Sequence, residues 1–218
     1  MPLQLIHELQ GFLQQRDLSS FVIAILDYGS GNLRSAQRAF ETSGKEVLIT
    51  SDYETALNAE GLVVPGVGAF AACMQGLLNV RGDQIVRERY AAKRPTLGIC
   101  VGMQILFARG IEHGEHAGVG MWGATVEKLN APILPHMGWN TVRPAAGSTL
   151  FAGVEDQSFY FVHSYAAKES VGVMSTLGHH GEDFIAAIED GALSATQFHP
   201  EKSSDAGIHV IKNWTQTL

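Results

Sequence analysis

Two short segments carry residues able to do covalent chemistry. Cys100 is the centre of Gly98-Ile99-Cys100-Val101-Gly102-Met103-Gln104, and His199 lies in Phe198-His199-Pro200-Glu201. A cysteine, a histidine and a carboxylate are the parts of a nucleophile, its base and the group that orients the base. An apolar run ending at Leu97 leads into the Gly-x-Cys-x-Gly turn, and a pattern that reads as helical continues through Ile105, Leu106 and Phe107. A sharp strand-to-helix turn lifts its central side chain clear of a sheet. The flanking glycines permit the strained backbone that such a turn needs. Free N–H groups at the start of the helix favour a thiolate, and the Val101 N–H is placed to meet a developing oxyanion.

His199 is the expected base. Residues two apart on an extended segment face the same side, so Glu201 reaches the imidazole. Pro200 keeps His199 extended. The carboxylate then holds one ring nitrogen and leaves the other for the cysteine, giving a triad in the order Cys100, His199, Glu201. A small core cysteine and a satisfied turn histidine are the plainer alternatives; the His-Pro-Glu element weighs against them. Gln104 follows Cys100 by one helical turn and faces the same pocket. Pro65-Gly66-Val67-Gly68 lacks the Gly-Lys-Ser/Thr ending of a phosphate loop. It reads either as a glycine turn after a buried strand or as a second oxyanion donor, and an oxyanion hole needs two.

The elements that position these groups alternate as in an α/β domain. Strands are expected at Val22–Leu26, Glu46–Ile49, Gly61–Val64 and Thr96–Ile99, with Asn32 capping the first helix and further helices at Ala69–Leu78 and Asp83–Tyr90. Open α/β sheets bind ligands at the carboxyl ends of their strands, where the functional turns fall. The second half reads richer in strands: Ala124–Lys128, Phe159–Val162, Val171–Thr176, Phe184–Ile188 and Leu193–Gln197. Residues 21–218 form one domain. Residues 1–20 stand apart: Leu5, Leu9, Phe12 and Leu13 share a helical face, widened by Leu3 and Ile6. That segment has neither the basic start and apolar core of a secretory signal nor the charge of a mitochondrial presequence. It is an extra amphipathic helix or the product of a start site placed upstream.

Composition excludes several classes of function. The 218 residues are 45% hydrophobic, enough for one well-buried domain. A net charge of −7 and the lack of a basic run argue against nucleic-acid binding. Two cysteines, Cys73 and Cys100, are too few for a disulfide framework and suit a reducing cytoplasm; Cys73 reads as a packing residue. No apolar run approaches the ~20 residues that span a bilayer. His113 with His116, and His179 with His180, have no acidic or cysteine partners at zinc spacing, so no metal is expected.

Gly-Ile-Cys-Val-Gly-Met-Gln with Gln-Phe-His-Pro-Glu-Lys-Ser resembles the class I, triad-type glutamine amidotransferases. Asp27-Tyr28-Gly29-Ser30-Gly31-Asn32-Leu33, Pro65-Gly66-Val67-Gly68-Ala69-Phe70, Pro135-His136-Met137-Gly138-Trp139-Asn140 and Tyr160-Phe161-Val162-His163-Ser164-Tyr165 narrow the likeness. It is to the family of glutaminase subunits of imidazole glycerol phosphate synthase, from about Val22 to the C-terminus. The resemblance implies a three-layer fold with a mostly parallel central sheet and helices on both faces. It implies Gly66 and Val67 as the oxyanion strand, and Gln104 and Glu112 as contacts to L-glutamine. It also implies a heterodimer with a (β/α)₈-barrel cyclase subunit, with Asn32, Trp139 and Lys202 on the interface side, and no cofactor. For Lys202 a solvated surface lysine stays an equal alternative. Ammonia would pass to the cyclase, which makes imidazole glycerol phosphate and an aminoimidazole-carboxamide ribotide. A glutaminase serving another acceptor synthase, such as that of vitamin B6, is the rival within the superfamily; its Gly-Gly-Glu-Ser-Thr signature is absent. A catalytically silent binding subunit is the rival outside it, opposed by the intact triad.

Overall fold

The computed structural model describes residues 22–218. The helix expected over residues 1–20 lies outside them. Apolar runs in the first half become parallel strands. β1 (Val22–Leu26), β3 (Gly61–Gly66) and β4 (Thr96–Cys100) are buried along their whole length, as strands covered on both faces must be. β2 (Glu46–Thr50) forms the sheet's edge and buries less. Between them run α1 (Leu33–Glu41), α2 (Tyr53–Asn58), α3 (Phe70–Asn79) and α4 (Gly82–Ala91). Asn32 caps α1 as expected, its Oδ1 accepting from the Ser35 N–H at 3.3 Å. The short α2 was not foreseen; Asp52 caps it through the Thr55 N–H at 2.8 Å.

After β4 come a single helical turn, α5 (Val101–Gln104), then β5 (Phe107–Gly110), β6 (His116–Ala117), β7 (Trp122–Lys128), β8 (His136–Arg143), β9 (Ser158–His163) and β10 (Tyr165–Ala167). β11 (Met174–His180), β12 (Glu182–Asp190), β13 (Leu193–Thr196) and α6 (Ser204–Thr215) complete the chain. The main sheet has nine strands in the order β2-β1-β3-β4-β13-β12-β11-β8-β9, and β10-β7-β5-β6 form a second sheet of four.

The expectation of a mostly parallel sheet needs correction. The pairs among β2, β1, β3, β4 and β13 are parallel, and those from β13 outward to β9 are antiparallel. Connection length is the cause for two of the four antiparallel pairs. Only Gly181 separates β11 from β12, and only Gly191 and Ala192 separate β12 from β13; parallel neighbours need a crossover of a dozen residues or more. The strand expected at Val171–Thr176 is displaced to β11, beyond a turn at Gly172 with φ 77°.

Helices cover both faces of the parallel half. Ile23 pairs with Gly61, where an added Cβ would meet Trp214 of α6. Leu26 lies on the opposite face of β1, and a Cβ at Gly82 of α4 would meet it. α6 presents Gly207, Val210, Ile211 and Trp214 to the core at helical spacing, and Trp214 packs edge-on against Phe40 of α1.

One buried cation ties this half together. Arg89 of α4 has no exposed surface. Its guanidinium donates to the carbonyls of Ala56, Leu57, Ala59, Glu60 and Pro95 and to Thr96 Oγ1, at 2.7–3.2 Å. It therefore satisfies the open carbonyl end of α2. Burial, and secondarily Arg94, push its pKa down to about 10, so it stays charged at neutral pH.

Candidate active site

Three neighbouring parallel strands deliver the site. Gly66 at the end of β3 pairs in register with Cys100 at the end of β4, and Thr196 at the end of β13 pairs with Ile99. Cys100 adopts φ 55° and ψ −114°, an arrangement that costs a non-glycine residue on the order of 1–3 kcal/mol. The turn packs too tightly for side chains on either flank. A Cβ on Gly66 would lie 2.4 Å from the Gly102 nitrogen, and one on Gly102 would lie 1.9 Å from the Val64 carbonyl oxygen. The helix expected through Phe107 stops at Gln104. Ile105 and Leu106 form the turn into β5 and Phe107 opens that strand, all three buried, so their apolar character reflects packing and not a longer helix.

His199 follows β13 by three residues, and its Nδ1 lies 2.7 Å from Glu201 Oε1. Ser203 fixes this turn, accepting from the Tyr160 N–H of β9 at 2.9 Å and donating to the His199 carbonyl at 2.6 Å. Both members are buried, with side-chain exposures of 3% for His199 and 5% for Glu201. Burial by itself lowers the His199 pKa. The neighbouring Cys100 and the hydrogen-bonded Glu201 outweigh it and raise the value to about 9. The second Glu201 oxygen is buried without a protein partner among the described residues. The structure thus brings Cys100, His199 and Glu201 together at one end of the sheet.

The Pro65–Gly68 strand borders Cys100 in a defined state. The Val67 N–H donates to Ser30 Oγ at 3.0 Å, and the Val67 carbonyl lies 2.9 Å from Ser30 Oγ and 3.2 Å from Cys73 Sγ. The Tyr28 hydroxyl donates to the Pro65 carbonyl. The Asp27–Asn32 loop therefore grips this strand, and the Val67 N–H points to Ser30. Cys73, expected to pack, is buried and also makes these polar contacts; burial foremost raises its pKa.

Cys100, Val101 and His199 open on a cavity of about 450 Å³, also lined by Val67, Gln104 and Glu112. Gln104 is nearly buried. Its Nε2 donates to the Tyr165 carbonyl at 2.8 Å and to Gln197 Oε1 at 3.0 Å. Glu112 Oε2 accepts the Phe70 N–H at 2.8 Å and so caps α3 from another element. Asn32, Trp139 and Lys202 are exposed. Trp139 shares the surface of β8 with Met137, which is 62% exposed, and Ile133 just before the strand is 73% exposed. Among the described residues, no three or more His, Cys, Asp or Glu side chains could together hold a metal ion, and no helix is long and apolar enough to cross a membrane.

Sequence reasoning missed two polar residues of the site. Ser30 sits between two glycines, and small polar residues in such loops often bond to backbone. Gln197 lies two positions before His199, and its Nε2 comes 3.8 Å from Cys100 Sγ. The same period-two rule that linked Glu201 to His199 could have marked it.

The site thus sets a buried cysteine and a buried histidine–carboxylate pair beside one cavity. The chain belongs to the class-I glutamine amidotransferase family, whose model matches residues 24–217. Within that class it is similar to the imidazole glycerol phosphate synthase subunit HisH of Mycobacterium tuberculosis, 58% identical over 201 residues that cover 90% of this chain and 98% of that protein. The HisH subunit of Streptomyces avermitilis is 58% identical over 207 residues, covering 90% and 96%. Among solved structures, a crystal structure of a glutamine amidotransferase superposes with a TM-score of 0.70 at 19% identity, covering 88% of this chain and 98% of that one. That last likeness is one of fold.

Proposed function

We propose that this chain hydrolyses L-glutamine to glutamate and ammonia, and that it serves as the glutaminase subunit of an imidazole glycerol phosphate synthase in histidine biosynthesis. The observation that carries the chemistry is His199, buried against Glu201 and sharing the cavity wall with Cys100. Cys100 thiolate attacks the side-chain amide carbon of glutamine. The oxyanion is met by the Val101 N–H and, after its peptide turns, by the Val67 N–H beside Gly66. His199 gives its proton to the leaving nitrogen, and the C–N bond breaks to leave a thioester. His199 then takes a proton from water, which attacks the thioester and releases glutamate and the free thiolate. Gln104 and Glu112 contact the substrate from the cavity wall.

The HisH relatives are subunits of a synthase, which supports a cyclase partner for this chain. The exposed Trp139, with Asn32 and Lys202, supplies the docking surface for a (β/α)₈-barrel subunit that receives the ammonia. No cofactor takes part. We place the reaction in the cytoplasm, where the free thiols Cys73 and Cys100 persist.

The test is glutaminase assay of the purified chain with and without the cyclase. Cys100→Ala should abolish glutamate formation while the fold and the co-purification are kept. Substantial turnover in Cys100→Ala would overturn the thioester mechanism, and failure to activate or bind a cyclase would overturn the choice of acceptor.

A further inference from the structure

Gln197 is almost wholly buried, 1% exposed, and does not line the cavity. A buried glutamine needs a reason, because its amide loses water on both ends. Its place follows from one carbonyl. The Tyr165 oxygen can only accept, so Gln104, 2.8 Å away, must present its nitrogen there. The second proton on that nitrogen points at Gln197, 3.0 Å away, so Gln197 must present its oxygen to Gln104. That leaves the Gln197 nitrogen facing Cys100 Sγ at 3.8 Å. No other amide orientation satisfies the chain.

The Tyr165 carbonyl has a second partner. His163 Nδ1 lies 3.0 Å from it and must donate; His163 Nε2 then accepts from His136 Nδ1 at 3.0 Å. His136 Nε2 accepts from Asn140 Nδ2 at 3.2 Å, and Asn140 also donates to the His179 carbonyl at 2.9 Å. Each ring takes one tautomer, and each donor finds one acceptor. Burial foremost lowers the pKa of His163 to about 3 and of His136 to about 4, in keeping with neutral rings.

We propose that Gln197 is a second donor to the Cys100 sulfur, aimed by Gln104 and the carbonyl of Tyr165, and that it holds the thiolate for attack. This rests on Cys100 being the nucleophile. An N–H aimed at an anionic acceptor makes a stronger bond than one to a neutral acceptor. Because Gln197 stands outside the cavity and Gln104 keeps its bond to the Tyr165 carbonyl, the loss of Gln197 should act more on turnover than on substrate binding.

The experiment has two arms. In the complex of the full chain with its cyclase, Gln197→Met keeps the side-chain length and removes the donor. It should lower kcat about tenfold and leave KM within about twofold. In the full wild-type chain, the side-chain amide resonance of Gln197 should move when Cys100 is carbamidomethylated with iodoacetamide, and should differ in Cys100→Ala. This arm needs no glutaminase activity, so it separates failure of the donor role from failure of the proposed reaction. It also decides the matter if Gln197→Met does not fold. A wild-type kcat in folded Gln197→Met overturns the proposal. So does an amide resonance indifferent to the state of Cys100.

Discussion

Ser30→Ala should raise glutamine hydrolysis by the subunit on its own. On the proposed mechanism, the Val67 N–H must leave Ser30 Oγ before it can meet the oxyanion. In the present state the Gly66–Val67 peptide is held by the Val67 N–H on Ser30 at 3.0 Å, and the carbonyl of the next peptide, that of Val67, lies 2.9 Å from Ser30 and 3.2 Å from Cys73. Removing the hydroxyl takes away the first two contacts and leaves the third, and of the two lost only the N–H bond opposes turning of the Gly66–Val67 peptide. The loop is half exposed, so the loss is that of an ordinary hydrogen bond, about 0.5–1.5 kcal/mol. An equilibrium between held and turned peptides shifts by the same energy, roughly two- to tenfold. The assay is steady-state glutamate release by the isolated chain and by the complex with its liganded cyclase. The isolated variant should gain about two- to tenfold in kcat. The activated complex should change little, since its peptide has already turned. An isolated Ser30→Ala chain no faster than wild type, with its fold intact, would show that Ser30 does not restrain the strand.

Other outcomes follow from the buried charges and rings. Arg89→Met removes the donor for five carbonyls and should cost at least about 3 kcal/mol in urea unfolding; a loss below about 1 kcal/mol would mean that water replaces the guanidinium. His199→Ala should reduce glutaminase turnover to background, while Glu201→Gln should keep measurable turnover, because Glu201 orients the ring and does not carry the proton. Equal inactivity of two folded variants would refute that division. Acid should destabilise the fold through His163 and His136. Their folded pKa values lie near 3 and 4, below the ordinary 6.5. The unfolded chain therefore binds protons first, and stability present above about pH 6.5 falls by about 1.4 kcal/mol per pH unit for each ring as pH drops toward 4. His199 has the opposite sign. Its raised value gives stability that is full below about 6.5 and is lost as pH rises through about 9. Urea midpoints between pH 4 and 10 check both limbs, and a flat acid limb would contradict the neutral tautomers.

Legibility in the sequence followed burial. β1, β3 and β4 are covered on both faces, so their uninterrupted apolar runs announced them. β8 and β11 carry histidine, glycine and threonine in place of such runs. Their inward residues are satisfied by hydrogen bonds and ring stacking, as where His136 stacks on His180, and hydropathy does not record that. The α6 stripe was present at helical spacing but fell after the triad motif and was passed over. The grouping of Cys100, His199 and Glu201 was readable because cysteine is scarce in this chain and the Cys100 turn and the His199-Pro200-Glu201 step are local. Ser30 and Gln197 act through contacts to Val67 and Cys100, far along the chain, and only the packed fold shows those. The docking roles given to Asn32, Trp139 and Lys202 rest on resemblance and exposure.

The position of β13 also orders events in time. It lies between β4 and β12, paired with both, yet it is made almost last. While the ribosome is still adding residues, β4 waits with one edge open and Cys100 at its tip. Pairing between segments so distant is slow, and an unpaired edge is open to foreign strands. The same delay makes the nascent subunit inert. Its cysteine exists long before its histidine, and only insertion of the closing strand sets the base beside the sulfur. On the proposed mechanism, a chain that stops before His199 therefore lacks its base and should leave glutamine untouched.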